Sequence, residues 1–344
     1  MLQETDQRER PGAPGYFLFS LDTELAWGYY DRFNPADFSP DGRRERQSLR
    51  VLLDIFREYR IRATMGVVGH LFYEKCEKCA VCPVRSWDGP TASYCRIYGS
   101  GSRLWYGPDV IGMIRDEGDR HEIAFHGFTH RPFDETKMSR EEARIEIEEW
   151  LKLADREGIR PVSAIFPRNR VGYLDLFREY GFTCYRGSEL TSDSYALPLV
   201  GRAMKRYHRY LSSFVPGPGF DLHEPQDGGL MNLPSSQHLF GYPSAVSRWV
   251  NALNLDKLSI RSVRKGIQKA AEARRVFHLW AHPNDFRSDK DFGMARRICA
   301  AASDEVQKGR LVSITMADLA EIAGQRSAAG AENAATFSCR QSGE

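Results

Sequence analysis

No uninterrupted apolar run in the 344 residues approaches the roughly 18 that a membrane-crossing helix needs. The first ten residues, Met-Leu-Gln-Glu-Thr-Asp-Gln-Arg-Glu-Arg, are charged where a secretory leader would be apolar, so a cytoplasmic chain is expected. Charge of one sign is also missing: 48 Lys+Arg stand against 46 Asp+Glu, a net of +2, which argues against a dedicated nucleic-acid binder. There is no Gly-x-Ser-x-Gly elbow and no Gly-x-x-x-x-Gly-Lys loop, so neither a serine-esterase turn nor a phosphate-cradling loop is available. No Asn-x-Ser/Thr sequon occurs. Cysteines are only seven, an odd number, and four crowd into one stretch, which reads as reduced thiols or metal ligands rather than a disulfide framework.

What is present is an ordinary globular composition, 42% hydrophobic and 27% charged, long enough to bury a large core. Residues 1–14 and 325–344 are polar or low in complexity and read as disordered tails around one ordered unit, 15–324. Tyr16–Leu21 is a short apolar run stopped by Asp22, the pattern of a buried strand. Leu49, Leu52, Leu53 and Phe56 follow at helical spacing, and 61–69 reads as a second strand. The alternation continues with strands at 122–126, 162–166, 182–186, 229–233, 276–281 and 310–314, and helices near 139–154, 171–180, 258–274 and 290–308. Ser139 with Glu142 forms a capping-box signature. Such alternation demands a parallel sheet with helices outside, closed as a barrel or open and doubly wound. Residues 187–228, rich in Pro, Gly and aromatics, read as an irregular lid-like excursion.

Three strand ends carry reactive groups: Asp22-Thr-Glu24, His126-Gly-Phe-Thr-His130 and Trp280-Ala-His282. In a parallel sheet these ends converge, as they do where barrel enzymes place their chemistry. Two histidines four residues apart fall on one face of a helical turn, and a carboxylate from another strand supplies a third ligand. Three protein ligands leave one position open for water or substrate. With nine histidines in the chain the pair alone is a weak signal, and a single acid or histidine at a strand end is more often a loop or packing residue; their joint placement is what points to one site.

These motifs resemble the polysaccharide deacetylases of carbohydrate esterase family 4, the NodB-homology proteins, across about residues 16–320. Phe19-Ser-Leu-Asp22-Thr-Glu24 is similar to the family's Thr-Phe-Asp-Asp segment, although here a Thr separates the acids and the second is Glu. The resemblance implies Asp22 as general base and Glu24 as metal ligand, with an exchange of roles open. His121-Glu-Ile-Ala-Phe-His126-Gly-Phe-Thr-His130 resembles the second motif and implies His126 and His130 as ligands. Ile165-Phe-Pro-Arg168-Asn-Arg resembles the third, with Pro and Arg in changed order, and implies that Arg168 pairs with Asp22. Phe277-His-Leu-Trp-Ala-His282 resembles the last and implies His282 as general acid. The implied fold is a distorted, incomplete (β/α) TIM-like barrel, α/β in class; residues 74–107 read from the sequence as a Cys-rich insertion in it. The implied activity is metal-assisted hydrolysis of an N-acetyl group from an amino sugar, with a divalent ion, Zn²⁺ first, as cofactor.

Cys76, Cys79, Cys82 and Cys95 lie outside that pattern. Their spacing suits a second, structural Zn²⁺, and three Cys at two-residue gaps also resemble part of an iron–sulfur run. A cytoplasmic chain would meet an intracellular N-acylated sugar, nucleotide- or lipid-linked, rather than external wall. The basic stretches Lys205–Arg209 and Arg261–Arg275 could face phosphates or anionic lipid at the membrane periphery, but a solvated helix face is the better reading. Rival readings are a C–N hydrolase acting on a small cyclic amide or formamide, a non-catalytic barrel, and a zinc-module interaction protein.

Overall fold

The computed structural model describes residues 12–29, 37–75, 103–190, 214–222, 229–240 and 256–325. Cys76, Cys79, Cys82, Cys95, Lys205–Arg209 and most of both expected tails and of the 187–228 excursion lie outside these residues.

Among the described residues, nine parallel strands carry the fold: β1 (Gly15–Thr23), β2 (Thr64–Val67), β3 (Glu122–Phe125), β4 (Ser163–Ile165), β5 (Cys184–Arg186), β6 (Met231–Asn232), β7 (Gln237–His238), β8 (Val276–Ala281) and β9 (Leu311–Ser313). Their order is β6-β5-β4-β3-β2-β1-β8-β7, with β9 beside the start of β1. The sheet curls into an incomplete barrel. Leu233–Ser236 crosses from one edge to the other: Leu233 N–H donates to the Tyr185 carbonyl on one side (2.9 Å), and Ser236 N–H donates to the His278 carbonyl on the other (2.8 Å). The helices are α1 (Arg43–Tyr59), α2 (Pro108–Arg115), α3 (Arg140–Arg156), α4 (Leu174–Glu179), α5 (Asp256–Ala273) and α6 (Asp289–Gln307). Of these, only α2 has no counterpart in the periodicity of the sequence.

All nine residues of β1 are buried, as expected for a strand covered on both faces. The pleat then sorts them. Tyr16 and Leu18 face an inner cluster with Ile165, Cys184, Met231 and Val276. Phe17, Phe19 and Leu21 face an outer cluster with Leu49, Leu52, Phe56, Phe277 and Ile298 beneath the helices. Burying each of these large side chains contributes about 1.5–3 kcal/mol. On α3 the Ser139–Glu142 capping box forms as read, and Ala143, Ile147, Trp150 and Ala154 are buried. Trp150 Nε1 donates to the Val67 carbonyl at 2.7 Å, fixing α3 against β2.

Three histidines are held neutral by this packing. Burial, aided by the Arg186 charge, lowers His278 to about 3; burial lowers His70 to about 4; burial, with Arg120 and Arg62, lowers His121 to about 4. The unfolded chain protonates them near 6.5, so between about 6.5 and 4 it binds more protons than the native state does. Their stability contribution is complete above pH 6.5 and is lost as pH falls through that window, by up to about 1.4 kcal/mol per pH unit per histidine. Thermal unfolding across pH 7 to 4.5 is expected to show a falling Tm, with a shallower decline in His121→Gln; equal slopes would remove His121 from the account.

Candidate active site

Period two along β1 explains the Asp-x-Glu spacing. Asp22 has the same parity as Tyr16, Leu18 and Ser20, so it faces the inside of the curl, and Glu24, two residues on, follows it. Both carboxylates are buried, at 4% exposure. The same parity on β8 aligns Val276, His278 and Trp280 with His282, and on β5 it aligns Cys184 with Arg186.

Glu24, His126 and His130 are brought together: Glu24 Oε2 lies 2.8 Å from His130 Nε2 and 3.4 Å from His126 Nε2. Their candidate ligand atoms all lie within 4.8 Å of one another. Opposite them, His282 Nε2 is 3.8 Å from Glu24 Oε1 and 3.9 Å from Asp22 Oδ2. The His126–His130 spacing works differently from the helical turn expected. The segment after β3 is not helical; Gly127 at φ 76° and His130 at φ 60° fold it back on itself. A non-glycine residue in the left-handed region costs about 1–3 kcal/mol and persists only where its surroundings over-determine it. Glu146 on α3 provides that support, accepting from Phe128 N–H at 2.8 Å, Thr129 N–H at 2.9 Å and the Thr129 hydroxyl.

The donor set fits a divalent cation. His126 Nδ1 lies 2.8 Å from the Ile165 carbonyl, which can only accept, so Nδ1 carries the hydrogen and Nε2 keeps its lone pair toward Glu24. Burial tends to raise the Glu24 carboxyl, but His130 and His282 outweigh it and hold Glu24 well below the ordinary carboxylate value. Burial pushes His130 below the ordinary imidazole value despite Glu24. An anionic carboxylate and two imidazoles are ligands suited to zinc and its neighbours.

Gly28 matters here for space alone. A Cβ at this position would lie 1.7 Å from Glu24 Oε1, so any side chain displaces the carboxylate. Gly28→Ala is expected to weaken divalent-metal binding by at least about tenfold, read by equilibrium dialysis; unchanged affinity would take Glu24 out of the ligand set.

The pairing expected of Arg168 requires correction. Arg168 lies at φ 56° in the Pro167–Asn169 turn, is exposed, and its Nη2 reaches the Gly28 carbonyl at 3.4 Å. The guanidinium on Asp22 belongs to Arg186, fully buried at the end of β5, with Nη1 to Oδ1 at 2.6 Å and Nη2 to Oδ2 at 2.7 Å. β5 and β1 face each other across the curl, and a long, planar side chain spans that gap from the opposite wall. Arg186 is itself fixed by the Ser20 hydroxyl (3.1 Å), Asn169 Oδ1 (3.0 Å) and the Trp280 ring, whose centroid lies 4.4 Å from its Cζ. Burial alone would raise the Asp22 carboxyl; Arg186, then His126, reverses this and leaves it below the ordinary range.

Two further residues escaped the motifs. Asp285 Oδ2 accepts from His282 Nδ1 at 2.9 Å and from His282 N–H at 3.1 Å. Burial opposes the charge on His282, but Asp285 and Glu24 prevail and lift the imidazole to about 10, while Asp285 is held below the ordinary carboxylate value. His238 on β7 stacks on Trp280 with ring centroids 4.0 Å apart. The parity of β5 and the His-Pro-Asn-Asp run after β8 were the sequence signals for Arg186 and Asp285; nothing local marked His238.

A curled parallel α/β sheet gathering acids and imidazoles at its C-terminal edge defines a hydrolase-type site open to a divalent ion. Residues 39–161, which include both His126 and His130, match the family model described as polysaccharide deacetylase. Over that span the chain is similar to the polysaccharide deacetylase family, the one its motifs resemble, whose members are deacetylating hydrolases. No curated protein matches the sequence. Among solved structures, a Mycobacterium smegmatis protein assigned as a polysaccharide deacetylase superposes with TM-score 0.51 at 16% identity, covering 93% of each chain, and shares the fold. A peptidoglycan deacetylase of Bacillus subtilis gives 0.40 at 13% identity, over 93% of this chain and 96% of its own. A family 4 carbohydrate esterase of Streptomyces lividans in complex with acetate gives 0.39 at 12%, over 89% and 93%.

Proposed function

We propose that the protein removes the N-acetyl group from an amino sugar in a glycan or glycan precursor, with Glu24, His126 and His130 holding the divalent ion, zinc first. The observation that carries this reading is the meeting of those three residues with Asp22 and His282 at the C-terminal ends of β1, β3 and β8. A bound ion supplies Lewis acidity toward a carbonyl oxygen and toward water.

The chain's own residues do the rest. Asp22, kept anionic and held in plane by the two-pronged Arg186 contact, takes the proton of the attacking water. His282 delivers a proton from Nε2 to the departing amine, which cannot leave as an anion at neutral pH. Asp285 fixes the His282 ring by holding Nδ1, so that Nε2 faces Asp22 and Glu24. No covalent intermediate is required.

Purified protein is to be assayed for acetate release from N-acetylhexosamine oligomers and nucleotide-linked N-acetylhexosamines, beside small cyclic amides and formamides. Release from the sugars is expected, with His282→Ala lowering turnover by about 10²–10⁴ while metal content stays unchanged. Hydrolysis confined to the cyclic amides would replace this reading, and loss of metal in His282→Ala would move that residue into the ligand set.

A further inference from the structure

We propose that His238, His282 and Asp285 form a second, weaker divalent-metal site, at which excess ion switches the enzyme off. The three side chains place candidate ligand atoms within 4.8 Å of one another. His282 Nδ1 lies 2.9 Å and His238 Nε2 3.6 Å from Asp285 Oδ2. A tetrahedral ion with ligand bonds near 2.0–2.1 Å separates its ligand atoms by about 3.3 Å. The two distances straddle that value, so small side-chain shifts suffice.

The frame around these atoms is already built. His238 lies flat on one face of Trp280, at 4.0 Å and 26°, and Arg186 covers the ring as well, 4.4 Å from its centroid. The His238 and His282 rings meet edge to face at 5.5 Å. Asp285 is placed by the Pro283–Asp285 turn, where its carboxylate also accepts from His282 N–H. His238 Nε2 is buried without a hydrogen-bond partner, a condition that costs about 1–3 kcal/mol and that an ion would relieve.

The site differs from the Glu24 centre in access and in competition. The side chains of His238, His282 and Asp285 retain 15%, 20% and 19% of their exposure, against 4% for Glu24, 0% for His126 and 3% for His130. An ion in solution therefore reaches the second group more readily. It binds less tightly because it must displace the hydrogen on His282 Nδ1, one proton leaving to solvent for each ion taken up. Once held by the ion, His282 has no imidazolium proton to give. The binding claim stands on these residues alone, whereas the inhibition rests on the deacetylation reading above.

The test counts ions and rates together. Metal-free wild type, His238→Phe, His238→Gln and the His126→Ala/His130→Ala double variant are titrated with Zn²⁺ and with Co²⁺, their folding checked by circular dichroism. Phe keeps a ring on Trp280 and Gln keeps a polar group, so a shared result does not come from lost packing. Both His238 variants are expected to bind one ion fewer than wild type in the weak class, its affinity falling by at least about tenfold. The double variant is expected to lose the tight class and keep the weak one. Any ion held by cysteines shows itself in thiolate-to-cobalt charge-transfer absorption, and these substitutions leave that band unchanged. With excess Zn²⁺, wild-type deacetylation slows, and in His238→Phe the ratio of rates at stoichiometric and excess zinc returns to about one. Unaltered counts and affinities in both His238 variants would overturn the site, and inhibition persisting after the weak ion is lost would overturn the switch. A weak class that follows His238 in a protein without deacetylase activity would uphold the site and remove the function proposed above.

Discussion

Replacing Arg186 by Met is expected to destabilise the protein by about 3–5 kcal/mol and to lower kcat sharply, because it strands the buried Asp22 carboxylate without its counter-charge. Both guanidinium nitrogens on Asp22 are within 2.7 Å, and the Arg186 side chain is wholly inaccessible to water. Removing one partner of such a pair leaves an uncompensated charge in the interior, which accounts for most of the loss. Arg186→Lys is expected to recover only part of it, since an ammonium cannot make two parallel bonds to one carboxylate. Arg168→Met is the contrast. That side chain is exposed, and its loss should change stability by no more than about 0.5 kcal/mol. Urea unfolding of the variants, with kcat from the same preparations, separates the two arginines. Equal destabilisation by both would mean that the exposed guanidinium also supports the base.

Asp22→Asn is expected to lower kcat by about 10²–10⁴ with the metal complement intact. An amide in that place cannot accept a proton from water, and its NH₂ would face an Arg186 nitrogen with two donors opposed. Glu24→Gln is expected to do the reverse and lose the ion first, because Glu24 is the carboxylate that lies against both His126 and His130. Elemental analysis and steady-state kinetics on the pair settle which acid does which job. Metal lost from Asp22→Asn and kept by Glu24→Gln would exchange the two roles. The geometry favours the assignment made here, since both Asp22 oxygens are committed to Arg186.

Several elements of the fold were legible without coordinates. The apolar run of β1, the helical spacing of Leu49, Leu52, Leu53 and Phe56, and the Ser139–Glu142 cap are local signals, and each element formed where its pattern lay. Asp22, Glu24, His126, His130 and His282 could be singled out because polar groups ending buried strands stand out against their neighbours. Their meeting follows once the strands are parallel, since every strand then delivers its C-terminal end to the same rim.

The partner of Asp22 was another matter. Arg168 sits in the expected motif, yet the turn at Pro167–Asn169 carries it to the rim, and β5 sends Arg186 inward from across the sheet. Likewise, the His126–His130 segment closes through two positive φ angles held by Glu146 from α3, where spacing alone suggested a helical turn. His238 comes from a two-residue strand too short to leave a periodic trace.

The sequence by itself determined the β/α alternation, the placing of Asp22 and Glu24 at the end of a buried strand, and the set of acids and histidines available for chemistry. These depend on periodicity and strand ends, which are properties of neighbours along the chain. Only the tertiary structure decided that Arg186 rather than Arg168 holds Asp22, that Asp285 orients His282, and that His238 joins them. A buried charge finds its partner by distance across the interior, and residues far apart in sequence become neighbours only when the sheet has curled.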